Sequence, residues 1–187
     1  MLLRRGKGML EIQDCCLTVV DVQGKLAQLM ADKETLFKNV RILIQAARIL
    51  DIPILWCQQA PEALGPTVPE VAELLTGGEP IDKASFSCCG QEQFNAELNA
   101  LGKVQVLLCG IETHVCIYQT AMDLMEGGLD VTIVADAVSS RTEQNRHLAL
   151  TRLAAEGARI SSTEMALFEL LKTAKHPLFK EIARLIK

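Results

Sequence analysis

Apolar residues along this chain come in two alternating textures: short unbroken runs, and longer stretches where they recur every three to four positions. The first run, CCLTVVD from Cys15 to Asp21, is short, β-branched and closed by a carboxylate, as a strand buried on both faces is. From about Asp32 to Leu50 the residues Leu36, Val40, Leu43, Ala47 and Leu50 repeat on one helical face. IPILWC then returns to strand. Residues 58–80, QQAPEALGPTVPEVAELLTGGEP, carry four prolines and three glycines and predict a long surface excursion with one helical turn. Loops of that length in compact domains are often functional. Beyond IDKASFSCCG the pattern predicts a helix from Gln91 to Leu101 and a strand from Val104 to Cys109. A turn and helix follow, then strand DVTIVAD, a helix from about Thr142 to Ala155, a short strand near Ala158 to Ser161 and a final pair of helices. Ser140-x-x-Glu143 and Ser161-x-x-Glu164 have the form of capping boxes and predict helix starts.

Strand and helix alternate throughout, which implies an α/β fold: a three-layer α/β/α arrangement built on an open, mostly parallel sheet. Ligands of such folds lie outside the carboxyl ends of the strands, so strand ends are where chemistry is expected. At 187 residues the chain has the length of one domain with a substantial core. Residues 14–187 are expected to form it, with 1–13 as a flexible leader. Neither an internal repeat nor a low-complexity tract interrupts the pattern.

Composition narrows the function class. The chain is 49% hydrophobic and 22% charged with a formal charge of −4, typical of an ordinary globular protein and without the basic excess that nucleic-acid binding calls for. Arg4, Arg5 and Lys7 lead into GMLEIQD rather than into an apolar signal-peptide core, so a cytoplasmic location is expected. No apolar run approaches the roughly 20 residues of a membrane span. The seven cysteines are odd in number and include two adjacent pairs, Cys15-Cys16 and Cys88-Cys89, which fits reduced thiols better than a disulfide framework. With no C-x-x-C and only three histidines, a structural zinc site is not expected.

Three residues fall at three strand ends. Asp21 closes the first strand, Lys83 follows the excursion, and Cys116 opens the helix after VLLCGIETHV. A cysteine at a helix N-terminus beside an ammonium is favoured as thiolate, the attacking species. Asp21 could take the thiol proton and return it to a leaving nitrogen, while Lys83 holds the two together as a compact cation. Each has a plainer reading when taken singly. Cys116 would be a small buried hydrophobe, Asp21 a cap for the next segment and Lys83 a solvated surface charge.

Together, TVVDVQ, IDKASFSC, LLCGIETHVCIYQTAMDL and VTIVADAVSSR, in that order and spacing, resemble the isochorismatase-like cysteine hydrolase superfamily. PEALGPTVPE and HPLFKEIARLIK are most similar to its isochorismatase domain-containing members. The resemblance covers about Cys16 to Leu171. It implies a Rossmann-like sheet of strand order 3-2-1-4-5-6 and a catalytic triad of Asp21, Lys83 and Cys116. It further implies a cis peptide between Ile111 and Glu112, and an oxyanion hole formed by the backbone N–H groups of Glu112 and Cys116. Two such donors contribute about 3 kcal/mol each. Gln23, Phe86 and Tyr118 are expected at the substrate. His114 invites a Cys-His dyad, but its spacing from Cys116 turns it away from the thiol.

The resemblance also says what is not expected. Nicotinamidases hold a metal through an Asp-x-His motif after the second strand, where this chain reads WCQQAPEALG without a histidine. No metal or other cofactor is therefore expected, and nicotinamide is disfavoured as a substrate. Vinyl-ether hydrolysis of an isochorismate-like compound needs no thiol, so Cys116 favours acyl transfer, with a small amide as the leading substrate class. Two other readings stay open: a binding or regulatory module on the same fold, and a thiol-redox protein using an adjacent cysteine pair. A homo-oligomer, dimer or tetramer, is expected, with EMALFELL and FKEIARLIK as candidate interface segments.

Overall fold

The fold is organised around two strands that have no solvent face at all. The structure, a computed structural model, describes residues 8–187. Every residue of β1 (Cys15–Val20) is buried, and β4 (Gln105–Ile111) is buried along its whole length. Between them in sequence come α1 (Gly24–Gln28), α2 (Lys33–Ile49), β2 (Ile54–Gln59), α3 (Pro61–Leu64), α4 (Pro69–Ala72), β3 (Ile81–Lys83) and α5 (Glu92–Leu101). After β4 come α6 (Tyr118–Glu126), β5 (Asp130–Ser139), α7 (Glu143–Ala155), β6 (Arg159–Ser161), α8 (Thr163–Leu171) and α9 (Phe179–Leu185). The six strands form one parallel sheet of order β3-β2-β1-β4-β5-β6. That is the order the resemblance implied.

Alternation along the central strands divides the core between the two faces of the sheet. Cys15, Leu17 and Val19 of β1 join Leu107 and Cys109 of β4 beneath α2, α8 and α9. Cys16 and Val20, with Val106 and Leu108, pack on the opposite side against Phe94 of α5, Ile117, Ala121 and Leu124 beside or within α6, and Leu153 of α7. The periodic face predicted for the first long helix is buried as expected, Leu36, Val40, Leu43 and Ala47 together with Leu50.

Three local expectations shift. The α7 cap is Thr142, whose side chain accepts from Asn145 N–H, and not Ser140. β5 runs on to Ser139, and Ser140 is buried against His114. The α8 cap is Ser162, because Ser161 is the last residue of β6. The leader expected over 1–13 is packed at its end: Leu10 is buried, Leu10 N–H donates to Glu169 at 2.7 Å, and Glu11 N–H donates to Gln105 at 2.8 Å. Leu10 is apolar enough to seal the core beneath α8. Residues 1–7 of the leader, with Arg4, Arg5 and Lys7, lie outside the described residues.

Candidate active site

The strand register determines which residues meet. Val20 sits opposite Cys57 of β2 and Gly110 of β4, so Asp21, one residue further, emerges where three strands end. Two residues beyond Cys57, Gln59 pairs with Lys83 of the edge strand β3, which turns the lysine toward Asp21. Gly110 permits the close approach. Its φ is +118°, and a Cβ there would lie 2.0 Å from Val20 O. Asp21 itself is left-handed at φ 53°, a conformation that short polar side chains tolerate.

The Lys83 ammonium is wholly inaccessible and donates to Asp21 Oδ2 at 2.7 Å, Gln59 Oε1 at 2.7 Å, Phe86 O at 3.0 Å and Ser85 O at 3.2 Å. Burial disfavours its charge, but Asp21, Cys116 and Cys88 outweigh that and hold its pKa above the ordinary lysine value. Asp21 Oδ1 is buried without a hydrogen-bond partner among the described residues, and the Cys116 thiol is close enough that the two groups perturb each other's titration. Burial raises the Asp21 pKa above the usual carboxylate range despite the opposing pull of Lys83 and Cys116.

Cys116 lies in the π-helical turn Thr113–Ile117 that leads into α6 and is 7% exposed. The preference for thiolate expected at a helix start does not prevail. Burial first, and the Asp21 charge second, push the thiol up to about 12, against a weaker downward pull from Lys83. The Asp21 carboxyl group, ion-paired with Lys83 at 2.7 Å, thus lies near a thiol that keeps its proton. The turn is closed by Val115 and Ile117 N–H groups donating to Glu112 O at 3.0 and 3.2 Å, and the Ile111–Glu112 peptide is cis.

Glu112 is buried, with Oε1 accepting from Arg141 Nε at 2.6 Å. His114 Nδ1 lies 2.9 Å from Ser140 Oγ and 3.4 Å from Glu112 Oε2. The histidine is thus engaged away from the thiol, with a side-chain hydroxyl.

The remaining residues expected at the substrate are not brought together. Gln23 is fully buried, with its amide spent on the backbone of Gln59 and Gly65, so it tethers the chain and does not face open space. Phe86 is 54% exposed at the rim beside Lys83. Tyr118 is half-buried under the Arg152 guanidinium, 5.0 Å from its ring centroid. Sequence reasoning missed Gln59. Its signal was available in the β2–β3 register, which no periodicity reveals. A cavity of about 230 Å³ lies elsewhere, lined by residues such as Asp32, Thr35, Asp136, Ser139, Glu143 and Arg146, and none of Asp21, Lys83 and Cys116 reaches it.

Residues 15–165 match the isochorismatase domain model. The chain belongs to the isochorismatase family. It is 43% identical over 182 residues to isochorismatase domain-containing protein 2 of Danio rerio, covering 97% of this chain and 91% of that one. It is 40% identical over 175 residues to the secreted isochorismatase effector Isc1 of Phytophthora sojae, covering 91% and 83%. Among solved structures, MAR1 ribonuclease from Caenorhabditis elegans superposes with a TM-score of 0.90 at 39% identity, covering 96% and 92% of the two chains. The octameric hydrolase YcaC from Escherichia coli, of unknown specificity, gives 0.91 at 26%, covering 97% and 91%. YcaC from Pseudomonas aeruginosa, solved with hexane-2,5-diol and covalent acrylamide, gives 0.87 at 25%, covering 96% of each. The family and its hydrolase fold are thus established for this chain.

Proposed function

We propose that this isochorismatase-family protein is a cysteine hydrolase that cleaves a small amide through a thioester, with Asp21, Lys83 and Cys116 as its triad. The observation that carries the reading is the division of labour on one buried carboxylate. Oδ2 is held by Lys83, Oδ1 has no hydrogen-bond partner among the described residues, and the Cys116 thiol is close enough to the carboxyl group to shift its titration. Buried polar atoms are seldom left unsatisfied, and functional sites are where exceptions gather.

As Sγ attacks the substrate carbonyl, Asp21 takes the thiol proton. A base raised above the usual carboxylate range is better matched to that task. The oxyanion that forms would be met by the N–H groups of Glu112 and Cys116. Asp21 then returns the proton to the leaving nitrogen, the C–N bond breaks and an amine or ammonia departs. Water, deprotonated by Asp21, attacks the thioester; the acid leaves and the thiol regains its proton. Lys83 stays protonated throughout and limits repulsion between the carboxylate and the developing anions. This mechanism uses no metal or cofactor. The covalent acrylamide named for the Pseudomonas relative supports a reactive nucleophile and an amide-sized cleft in this fold.

A 7% exposed nucleophile in a chain of net charge −4 suits a small molecule better than the polynucleotide that the Caenorhabditis relative's name would suggest. An octameric relative supports assembly into a homo-oligomer. Free cysteines at seven positions favour a reducing, cytoplasmic setting; among the described residues no helix is long and apolar enough to cross a membrane.

The test is a panel of small primary amides and N-carbamoyl compounds with quenched-flow intact-mass analysis. Expected is release of amine or ammonia with a transient acyl adduct on Cys116, absent in Cys116→Ala. Turnover by Cys116→Ala at the wild-type rate would overturn the reading.

A further inference from the structure

The Lys83 ammonium has three protons and four oxygens within reach, two of them main-chain carbonyls of its own turn. Asp21 supplies the third oxygen. The fourth, at the same 2.7 Å as the carboxylate, belongs to Gln59, which neither the family match nor the triad accounts for. Its side chain cannot be turned over freely. Gln59 Nε2 donates to Ala84 O at 2.8 Å, which points Oε1 at the ammonium. The backbone of Gln59 is held in turn by Gln23: Gln59 N–H donates to Gln23 Oε1 at 2.7 Å, and Gln23 Nε2 donates to Gln59 O at 2.9 Å and to Gly65 O at 2.8 Å.

The buried amide of Gln23 thus acts as a strand partner for Gln59, from a position two residues beyond Asp21. Gly24 completes the junction. Its φ is +52°, and a Cβ there would lie 1.7 Å from Leu64 O, so the Asp21 turn and the excursion after β2 meet without room for a side chain.

We propose that Gln59 is a positioning residue that fixes the Lys83 ammonium on Asp21 Oδ2, with Gln23 as the tether holding Gln59 in register. Two consequences follow from proton counting. All three ammonium protons are committed to Asp21, Gln59 and the Ser85–Phe86 carbonyls, so Lys83 acts on Cys116 by its charge and not by a hydrogen bond. Asp21 Oδ1, kept free of the lysine, remains available to the thiol. Without the Gln59 oxygen a buried cation loses one of its few acceptors, and its charged form becomes harder to maintain.

The kinetic part of this inference rests on the hydrolase reading above; the placement of the ammonium does not, and the experiment separates them. In protein selectively labelled with 15N-lysine, the Lys83 Nζ signal, identified by its loss in Lys83→Met, is followed against pH in wild type, Gln59→Leu and Gln59→Glu. The titration midpoint is expected to fall by about one unit or more in Gln59→Leu and to rise in Gln59→Glu, where a second carboxylate replaces the amide. An unchanged midpoint in folded Gln59→Leu overturns the proposal. If that variant does not fold, an unchanged or lowered midpoint in Gln59→Glu does so instead. With a hydrolysed amide in hand, Gln59→Leu should lose about tenfold or more in kcat at unchanged KM. A titration that moves as expected in a protein that turns over no amide would retain the positioning role and reject the hydrolase reading.

Discussion

Replacing Asp21 by Asn should move the two properties of Cys116 in opposite directions. The thiol is held up to about 12 by burial and by the carboxylate, with Lys83 pulling the other way. An exposed thiol of pKa about 8.5 is roughly one-tenth ionised near pH 7.5, whereas Cys116 would be ionised to only a few parts in 10⁵. The greater nucleophilicity of a more basic thiolate, with a Brønsted slope of about 0.4–0.5, recovers part of this, so wild-type Cys116 should alkylate about a hundredfold more slowly than a free thiol. Asn keeps the shape, tolerates the left-handed backbone at φ 53° and removes the charge. Lys83 then has the thiolate as its nearest anionic partner. A like charge lost from such a site lowers the pKa by about 2 units. That gives about a hundredfold more thiolate, each about eightfold less nucleophilic, and hence about tenfold faster alkylation, while amide hydrolysis is lost for want of a proton carrier. The assay is peptide-mapped iodoacetamide labelling from mildly acidic to mildly alkaline pH on protein shown to be folded by thermal melting. Slower labelling of Cys116 in folded Asp21→Asn than in wild type would refute the electrostatic argument and make Asp21 an obligatory base even for a small alkylating agent.

Two further changes probe the frame of the site. Gly110→Ala places a Cβ 2.0 Å from Val20 O at a φ of +118°; a loss of about 3 kcal/mol or more is expected in chemical denaturation, and a loss under 1 kcal/mol would show that β1 and β4 can part without cost. Lys83→Met leaves Asp21 buried and unpaired, a change that costs about 3–5 kcal/mol where a buried pair is broken. The folded Lys83 pKa is raised, so its stabilising contribution is complete below the unfolded lysine value of about 10.4 and fades as pH rises through the folded value. The stability gap between wild type and Lys83→Met should therefore narrow in strongly alkaline solution; a gap that widens there would contradict the sign.

The sheet was legible in the sequence because buried parallel strands announce themselves as unbroken apolar runs, and β1 and β4 are buried at every position. The face of α2 was legible for the matching reason, period 3.6. Capping signals carried less information. Ser140 and Ser161 have the right neighbours for a capping box, but Ser161 is the last residue of β6 and Ser140, just past the end of β5, is buried against His114, so Thr142 and Ser162 cap the helices one or two residues on. The excursion after β2 holds the short helices α3 and α4 where one turn was expected, since Pro61 and Pro69 each open a helix while breaking the periodicity that would reveal it. At the site, residue type and strand-end position singled out Asp21, Lys83 and Cys116. Gln23 was also visible there, but as a substrate contact, because a glutamine two residues past a strand-end carboxylate looks exposed until its partners Gln59 and Gly65 are known. Gln59 and its bond to Lys83 depend on register between two strands, and a side-chain alternation repeats without recording which residue faces which.

The charge state of the thiol is where local sequence logic fails most clearly, and the failure has chemical content. A helix start and a nearby ammonium both favour thiolate, yet burial and a carboxylate on the same side prevail. The Lys83 ammonium is bonded to Asp21 and Gln59, and its charge pulls on sulfur more weakly than burial and the carboxylate push. A thiol kept neutral in this way is protected from adventitious alkylation and oxidation, which act on thiolates. The proton barrier falls only when sulfur begins to bond to a carbonyl carbon, because sulfur acidity rises as its electrons are drawn into the new bond and negative charge moves to the carbonyl oxygen. On the hydrolase reading, reactivity is then conditional on a substrate that places its carbonyl over Cys116 and its oxygen within reach of the Glu112 and Cys116 N–H groups. Specificity would arise from that geometric demand more than from side chains lining a deep pocket, and substrates too large to pass Phe86 at the rim should fail as substrates and as alkylating agents alike.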